Sequence, residues 1–245
     1  MSGRRLAYLL LHVLGLTAAL AGTAHAQGVT VDLGQGGVSE RALQLVALIT
    51  ILSIAPSILI MVTSFTRIVV VLSLLRTALG TQTAPPNSVL ISLALFLTAF
   101  IMAPVFQQTY NEAIQPMIAG QMTPEQAFET ATPPFRTFML KHVREKDLRL
   151  FTDIAQEEAA SPDEVSLRAL VPAFMISELR RAFEIGFLLF VPFLVIDLVV
   201  ASILMSMGMM MLPPIIVSLP FKLIFFVLVD GWNLVVGSLV ESFTR

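Results

Sequence analysis

Charge is spread through this chain so unevenly that the distribution alone dictates the kind of fold. Of the 32 Asp, Glu, Lys and Arg residues, 20 lie between Gln107 and Glu184. That stretch is about as charged as an ordinary soluble domain, roughly a quarter. The other 167 residues carry only 12 charges. The chain therefore reads as apolar, polar, apolar. With 56% hydrophobic residues and a mean hydropathy of +0.84, a soluble enzyme and a disordered chain are both excluded. A net charge of −2 excludes a basic nucleic-acid binder. What remains is an integral membrane protein, with much of its surface in lipid or against partners.

Four apolar stretches carry that reading. Leu43 to Leu75 would be about 50 Å long as a helix, more than a bilayer core, and Pro56 should kink or break it. Val89 to Phe106 follows the turn Ala84-Pro85-Pro86-Asn87. Ile185 to Met207 contains Asp197, and Leu212 to Val240 contains Lys222 and Asp230. The expected fold is all-α: two long helical hairpins, 43–106 and 185–245, flanking a small helical extracytoplasmic insert at 107–184. Within the insert, Thr123-Pro124-Glu125-Gln126 reads as a helix start, Pro133-Pro134 as a break, and Phe135 to Ile154 as a helical spacing of apolar residues. Ser161-Pro162-Asp163-Glu164 reads as another start.

The first 26 residues have the pattern of a cleavable signal peptide. Arg4-Arg5 precede an apolar core, and Ala24-His25-Ala26 is a small-residue site with cleavage expected between Ala26 and Gln27. Cleavage would leave a net charge of about −4, with residues 27–42 as an extracytoplasmic N-terminal segment. An even number of spans then puts the insert and C-terminus outside as well. Arg76 in the first hairpin loop weakly supports a cytoplasmic place for that loop.

Familiar catalytic chemistry has little to work with. There is no cysteine, and two of the three histidines, His12 and His25, fall in the signal segment. No HExxH, G-x-S-x-G, P-loop or G-x-G-x-x-G pattern occurs. The expectation is a non-enzymatic protein without metal or cofactor. Charges inside the apolar stretches say more, because an unpaired charge in lipid costs several kcal/mol. Arg67, Asp197, Lys222 and Asp230 qualify, with Glu178 just before the third stretch. They fit either an ion path, as in a small ion-coupled transporter or ion channel, or salt bridges within or between subunits. Acids and bases occur together, which favours pairing; Lys222 is expected to meet Glu178 or Asp197.

Methionines form the second signal. Met205, Met207, Met209, Met210 and Met211 crowd around Gly208, just before Pro213-Pro214, so they belong to a tip between two helices. Adaptable thioethers suit ordinary packing, a soft apolar seal around an axis, or soft-metal binding. Composition alone favours packing and leaves the others open.

Two runs are more specific. One is Pro172 to Phe187, Pro-Ala-Phe-Met-Ile-Ser-Glu-Leu-Arg-Arg-Ala-Phe-Glu-Ile-Gly-Phe. The other is Pro220 to Trp232, Pro-Phe-Lys-Leu-Ile-Phe-Phe-Val-Leu-Val-Asp-Gly-Trp. They resemble the signature segments of the flagellar biosynthetic protein FliP family. Thr63 to Ile68, Ala84 to Asn87 and Met207 to Met211 resemble it too, as does the order of signal peptide, hairpin, insert, hairpin. The resemblance covers essentially the whole mature chain and is less distinct from Gln115 to Ala169. It implies a core pore-forming subunit of the flagellar type III protein export gate in the bacterial inner membrane, at the flagellar basal body, with much of the chain on the periplasmic side. It implies a homo-oligomer, a pentamer in the family, assembled with FliQ and FliR and working with FlhA and FlhB. Unfolded flagellar export substrates would pass through it. A related family serves virulence secretion, and the signal peptide favours the flagellar branch. The resemblance also implies a methionine gasket at Met207, Met209, Met210 and Met211. Phe135 and Phe138 are then possible lumen-lining residues, the alternative being a local core.

Overall fold

The computed structural model describes residues 38–157, 161–209 and 211–244. The signal segment, its cleavage site Ala26/Gln27, and Met210 lie outside the described residues. Every regular element among those described is helical. The elements are α1 Val38–Met61, α2 Phe65–Ala78, α3 Asn87–Ile101, α4 Ala103–Thr109, α5 Gln115–Ile118, α6 Pro124–His142, α7 Glu145–Ala155, α8 Leu167–Ser206, α9 Pro214–Leu228 and α10 Gly231–Thr244. A π-helical stretch, Tyr110–Ile114, joins α4 to α5. Two compact units divide between Leu52 and Ser53. The described part of the first is helical and carries exposed Leu43, Val46 and Ile49.

Among the described residues, only α8, at 40 residues, is long and apolar enough by itself to cross a membrane. The other apolar stretches are broken in two. Asn87–Ile101 and Ala103–Ile118 bend by 62° at Met102, and α9 and α10 bend by 63° at Val229-Asp230. The expected kink at Pro56 is not where the first stretch breaks. α1 runs on through Pro56 to Met61, and the break falls at 62–64. Thr66 Oγ1 lies 3.3 Å from the carbonyl of Ile60 across that break, so a side chain takes up one of the orphaned acceptors.

The insert departs from the sequence reading in three places. α6 starts with a capping box: Thr123 Oγ1 accepts from the Gln126 N–H, and Gln126 Oε1 accepts from the Thr123 N–H. It then continues unbroken through Pro133-Pro134 to His142. The carbonyl that Pro133 leaves unbonded belongs to exposed Glu129, where water can satisfy it. Pro134 is buried, and the helix carries buried Met139 and His142 beyond it, so burial of this face offsets the lost bond. Next, Pro162–Glu164 is only a 3₁₀ turn, and the following helix starts at Leu167. Glu157 holds its start, accepting from the Ser166 N–H at 3.1 Å and from the Ser166 hydroxyl. Finally, α8 passes straight across Glu184, the boundary expected between insert and second hairpin.

Two hydrophobic clusters position everything else. One is the insert's own: Met139 of α6, Leu148 of α7, Val165 just before α8, and Leu170 and Phe174 at the start of α8. The other joins Ile68, Leu72 and Leu75 of α2 to Leu90 and Leu97 of α3, Phe193 of α8, Phe226 of α9 and Leu239 of α10. Phe138 touches both clusters. α2 lies along α8 in the same direction, with Arg67 beside Glu178 and Leu74 beside Gly186. A Cβ on Gly186 would overlap the Leu74 side chain, so glycine is what allows this approach. α9 returns along the end of α8, Phe225 and Phe226 packing on Phe193 and Ser218 meeting Asp197.

Candidate functional site

Arg67 is fully buried in α2, two residues after the helix starts. Its Nε donates to Glu178 Oε2 at 2.8 Å and its Nη2 to Glu178 Oε1 at 2.5 Å, a two-pronged contact in which neither side chain is exposed. Its third nitrogen, Nη1, donates to the carbonyl and hydroxyl oxygens of Ser242 at 3.1 and 2.9 Å. The guanidinium carbon stands 3.7 Å from the centre of the Phe243 ring. One side chain from α2 thus ties α8 to the end of α10.

Lys222 makes the second node. It is 4% exposed, and its Nζ lies 2.7 Å from Asp197 Oδ2 and 3.3 Å from the carbonyl of Ala78. Ala78 is the last residue of α2, whose C-terminal carbonyls carry the negative end of the helix dipole. Ser218 donates to the other oxygen of Asp197 at 2.5 Å. Glu178 is therefore engaged by Arg67, and Lys222 is engaged by Asp197.

Asp230 stands apart from both nodes. It sits at the bend between α9 and α10 with a left-handed φ of 51°, and its Oδ2 accepts from Asn233 Nδ2 at 3.1 Å. The next residue, Gly231, lies under the Phe226 ring, where a Cβ would collide. Asp230 thus shapes a turn.

The methionines lie on the turn that ends α8. Gly208 has φ 73°; its N–H donates to the Met205 carbonyl, and the Met209 N–H donates to the Leu204 carbonyl. This is a Schellman cap, which needs a residue free to adopt the left-handed conformation. It presents its side chains outward: Met207 is 66% exposed, Met209 40% and Met211 98%. Residues this apolar and this exposed imply a covering surface.

Phe135 and Phe138 part company. Phe138 packs between His142, Phe174 and Phe243 at ring distances of 4.7, 5.9 and 6.1 Å, a core position. Phe135 faces Phe106 and lines an apolar groove of about 410 Å³ with Ile58, Phe128 and Val171.

Several partners escaped the sequence reading. Ser218 lies one turn before Lys222, a spacing that could have flagged it. Ser242 and the Ala78 carbonyl carried no such signal. Buried Asp147 was also missed: Arg144 donates to both its oxygens at 2.9 Å, and Ser177 Oγ lies 2.7 Å away. The Arg144 bonds first, and then Ser177, hold the Asp147 carboxyl below its usual range. His142 is buried between Phe138 and Phe243. Burial, followed by the charges of Arg67, Arg181 and Lys141, lowers its pKa to about 4.

The FliP family model matches residues 48–239 of the chain. The chain is 64% identical over 219 residues to the flagellar biosynthetic protein FliP of Caulobacter vibrioides, spanning 89% of this chain and 82% of that protein. It is 51% identical over 232 residues to that of Rhizobium meliloti, with 92% and 95% covered. The flagellar biosynthetic protein FliP of Bacillus subtilis is 55% identical over 205 residues, with 83% and 93% covered. A match this long, running through both ion pairs and the methionine turn, places the chain in the FliP family.

Proposed function

We propose that the chain acts in flagellar biosynthesis as a core subunit of the protein export gate, a membrane-embedded pore for unfolded flagellar proteins. Copies of it assemble around an axis, with FliQ and FliR as neighbours and FlhA and FlhB as further gate components. The two-hairpin architecture, with the insert on the periplasmic side, belongs to this reading. One observation carries it beyond family membership: the capped turn between α8 and α9 projects Met207, Met209 and Met211 outward. Arranged around an axis, such side chains fill a lumen and exclude water. Each thioether contact is weak and each side chain flexible, so a passing chain can displace them and they close behind it.

The charged residues support a static role. Arg67 and Glu178, and Lys222 and Asp197, are bound to each other rather than set in a row along a water path. This favours packing joints over the ion-transport alternative. Phe138 serves the core, whereas Phe135 remains free to face a lumen from its groove.

The test is ion leakage through the assembled gate in the closed state. Met209, Met210 and Met211 replaced together by Ala or Gly should raise conductance while subunit composition stays intact. An unchanged leak in a fully assembled complex would sink the gasket.

A further inference from the structure

Methionines of this chain lie in contrasting surroundings. Met102 and Met139 are fully buried, and half-buried Met175 has its sulfur 3.8 Å from the Thr66 hydroxyl. At the turn that ends α8, Met205 is 61% exposed and joins the exposed Met207, Met209 and Met211. A thioether that an oxidant reaches is converted to the sulfoxide, a polar and chiral group. Four accessible sulfurs so close together in the chain concentrate that chemistry at one place on the molecule.

The fold of the turn does not depend on those side chains. It is closed by main-chain bonds, from the Gly208 N–H to the Met205 carbonyl and from the Met209 N–H to the Leu204 carbonyl. Gly208 supplies the left-handed residue, and buried Leu204 anchors the last turn of α8. A chemical change at sulfur therefore leaves the turn folded and alters only what it presents. Side chains that meet in a lumen would then carry polar sulfoxide oxygens. An unpaired polar group shut inside an apolar seal lowers the closed population by about tenfold for each such group.

We infer that Met207, Met209 and Met211 are sites of reversible oxidation to methionine sulfoxide, and that this oxidation opens the seal to water and ions. The oxidant is a peroxide. A sulfur lone pair attacks one peroxide oxygen, the O–O bond breaks, an S–O bond forms and water leaves after proton transfer. Sulfur loses two electrons and the peroxide gains them. Hydrogen peroxide is small and uncharged, and it reaches the sulfurs from the water on either side of a seal one turn deep. Methionine sulfoxide reductases, one for each sulfoxide epimer, restore the thioether. The inference rests on the gasket reading and concerns its regulation.

The test treats the assembled gate in liposomes with hydrogen peroxide and follows ion conductance and peptide mass mapping on the same sample. Oxygen is expected on Met207, Met209 and Met211 before it reaches Met102 or Met139. Conductance should rise about tenfold as the first sulfoxides form, and the two reductases together should reverse the rise. Met207, Met209 and Met211 replaced together by Leu, whatever the resting conductance, should lose most of that rise. Met61→Leu with Met117→Leu, which removes exposed methionines away from the turn, should keep it. An oxidised turn with unchanged conductance overturns the inference, as does an equal rise in the triple Leu variant. Turn sulfurs no more reactive than Met102, or a rise that the reductases leave in place, overturn it too. Failure of the gasket itself reads differently: the Ala or Gly variant then leaks no more than the parent before any oxidant is added, and both readings fall. If that variant leaks and the oxidised parent does not, the seal stands and its oxidation falls.

Discussion

The guanidinium of Arg67 and the carboxylate of Glu178, 111 residues apart in the chain, face each other through two hydrogen bonds in a fully buried contact. Two charges taken so far out of water depend on each other. Removing one leaves the other uncompensated, at a cost of about 3–5 kcal/mol, whereas an apolar pair of similar volume is often tolerated. Glu178→Gln and Arg67→Met should therefore each lower the melting temperature of the purified complex sharply. Arg67→Met with Glu178→Leu should recover part of the loss. Recovery stays partial because Arg67 also serves Ser242 and the Phe243 ring. If the double variant melts no higher than either single one, the pair is not what stabilises this contact.

Lys222 and Asp197 are expected to respond unequally to charge reversal. Lys222→Glu puts a carboxylate against Asp197 and against the Ala78 carbonyl at the negative end of α2, so assembly of the gate should fail. Exchanging the two, Lys222→Asp with Asp197→Lys, restores the attraction but leaves the carbonyl facing an acceptor. Intermediate yield of intact complex is the expected result. Full restoration would remove the role assigned to Ala78; normal assembly of Lys222→Ala would remove the role of the pair.

Acid should loosen the insert through His142. Its pKa falls from an ordinary 6.5 to about 4 in the fold, so the unfolded chain binds the extra proton first. Stability is complete above about pH 6.5, declines as pH falls toward 4, and levels off below that. Proteolysis of the insert, followed between pH 7 and 4, should accelerate across this window. In His142→Phe, which keeps the aromatic contacts with Phe138 and Phe243, that acceleration should be much reduced. An unchanged profile would point to other groups, such as Asp147, whose lowered pKa places its own loss at more acidic pH.

Two helical glycines should answer alanine with opposite signs. At Gly186 the new Cβ overlaps Leu74 Cδ1 at 2.3 Å and crowds its Cβ and Cγ at 3.2 and 3.3 Å, so a rotamer change alone does not clear it, and overpacking of about 1–3 kcal/mol outweighs the gain in helix propensity. At Gly237 nothing lies within 4 Å, and alanine should stabilise α10 by about 0.5–1 kcal/mol. Thermal unfolding of the two variants in detergent compares them directly.

The long apolar periodicities, the cap at Thr123 and the punctuation at Gly208 are local properties, and the helices they specify could be read from the chain. The unusual charges could be named for the same reason, since a lone Arg67 or Lys222 among aliphatic residues is conspicuous. Which acid each base meets was not legible, because that depends on α2 lying alongside α8, a relation set by Gly186 and Leu74 at a distance. The bends were misplaced for a related reason. Pro56 and Pro133-Pro134 promise breaks by their covalent structure, yet packing and solvent contain them, while the real breaks at 62–64 and at Val229-Asp230 carry no proline.

α2 is pinned at both ends, by Arg67 to α8 and α10 and by its Ala78 carbonyl to Lys222 of α9. It behaves as a riveted strut: neither sliding along α8 nor rolling against it is possible without breaking an ionic contact. In the proposed pore, any motion that admits cargo is borne by joints that lack such rivets. Among the described residues the methionine turn has none, nor does the elbow at Met102, and the scaffold can stay rigid while its tip yields.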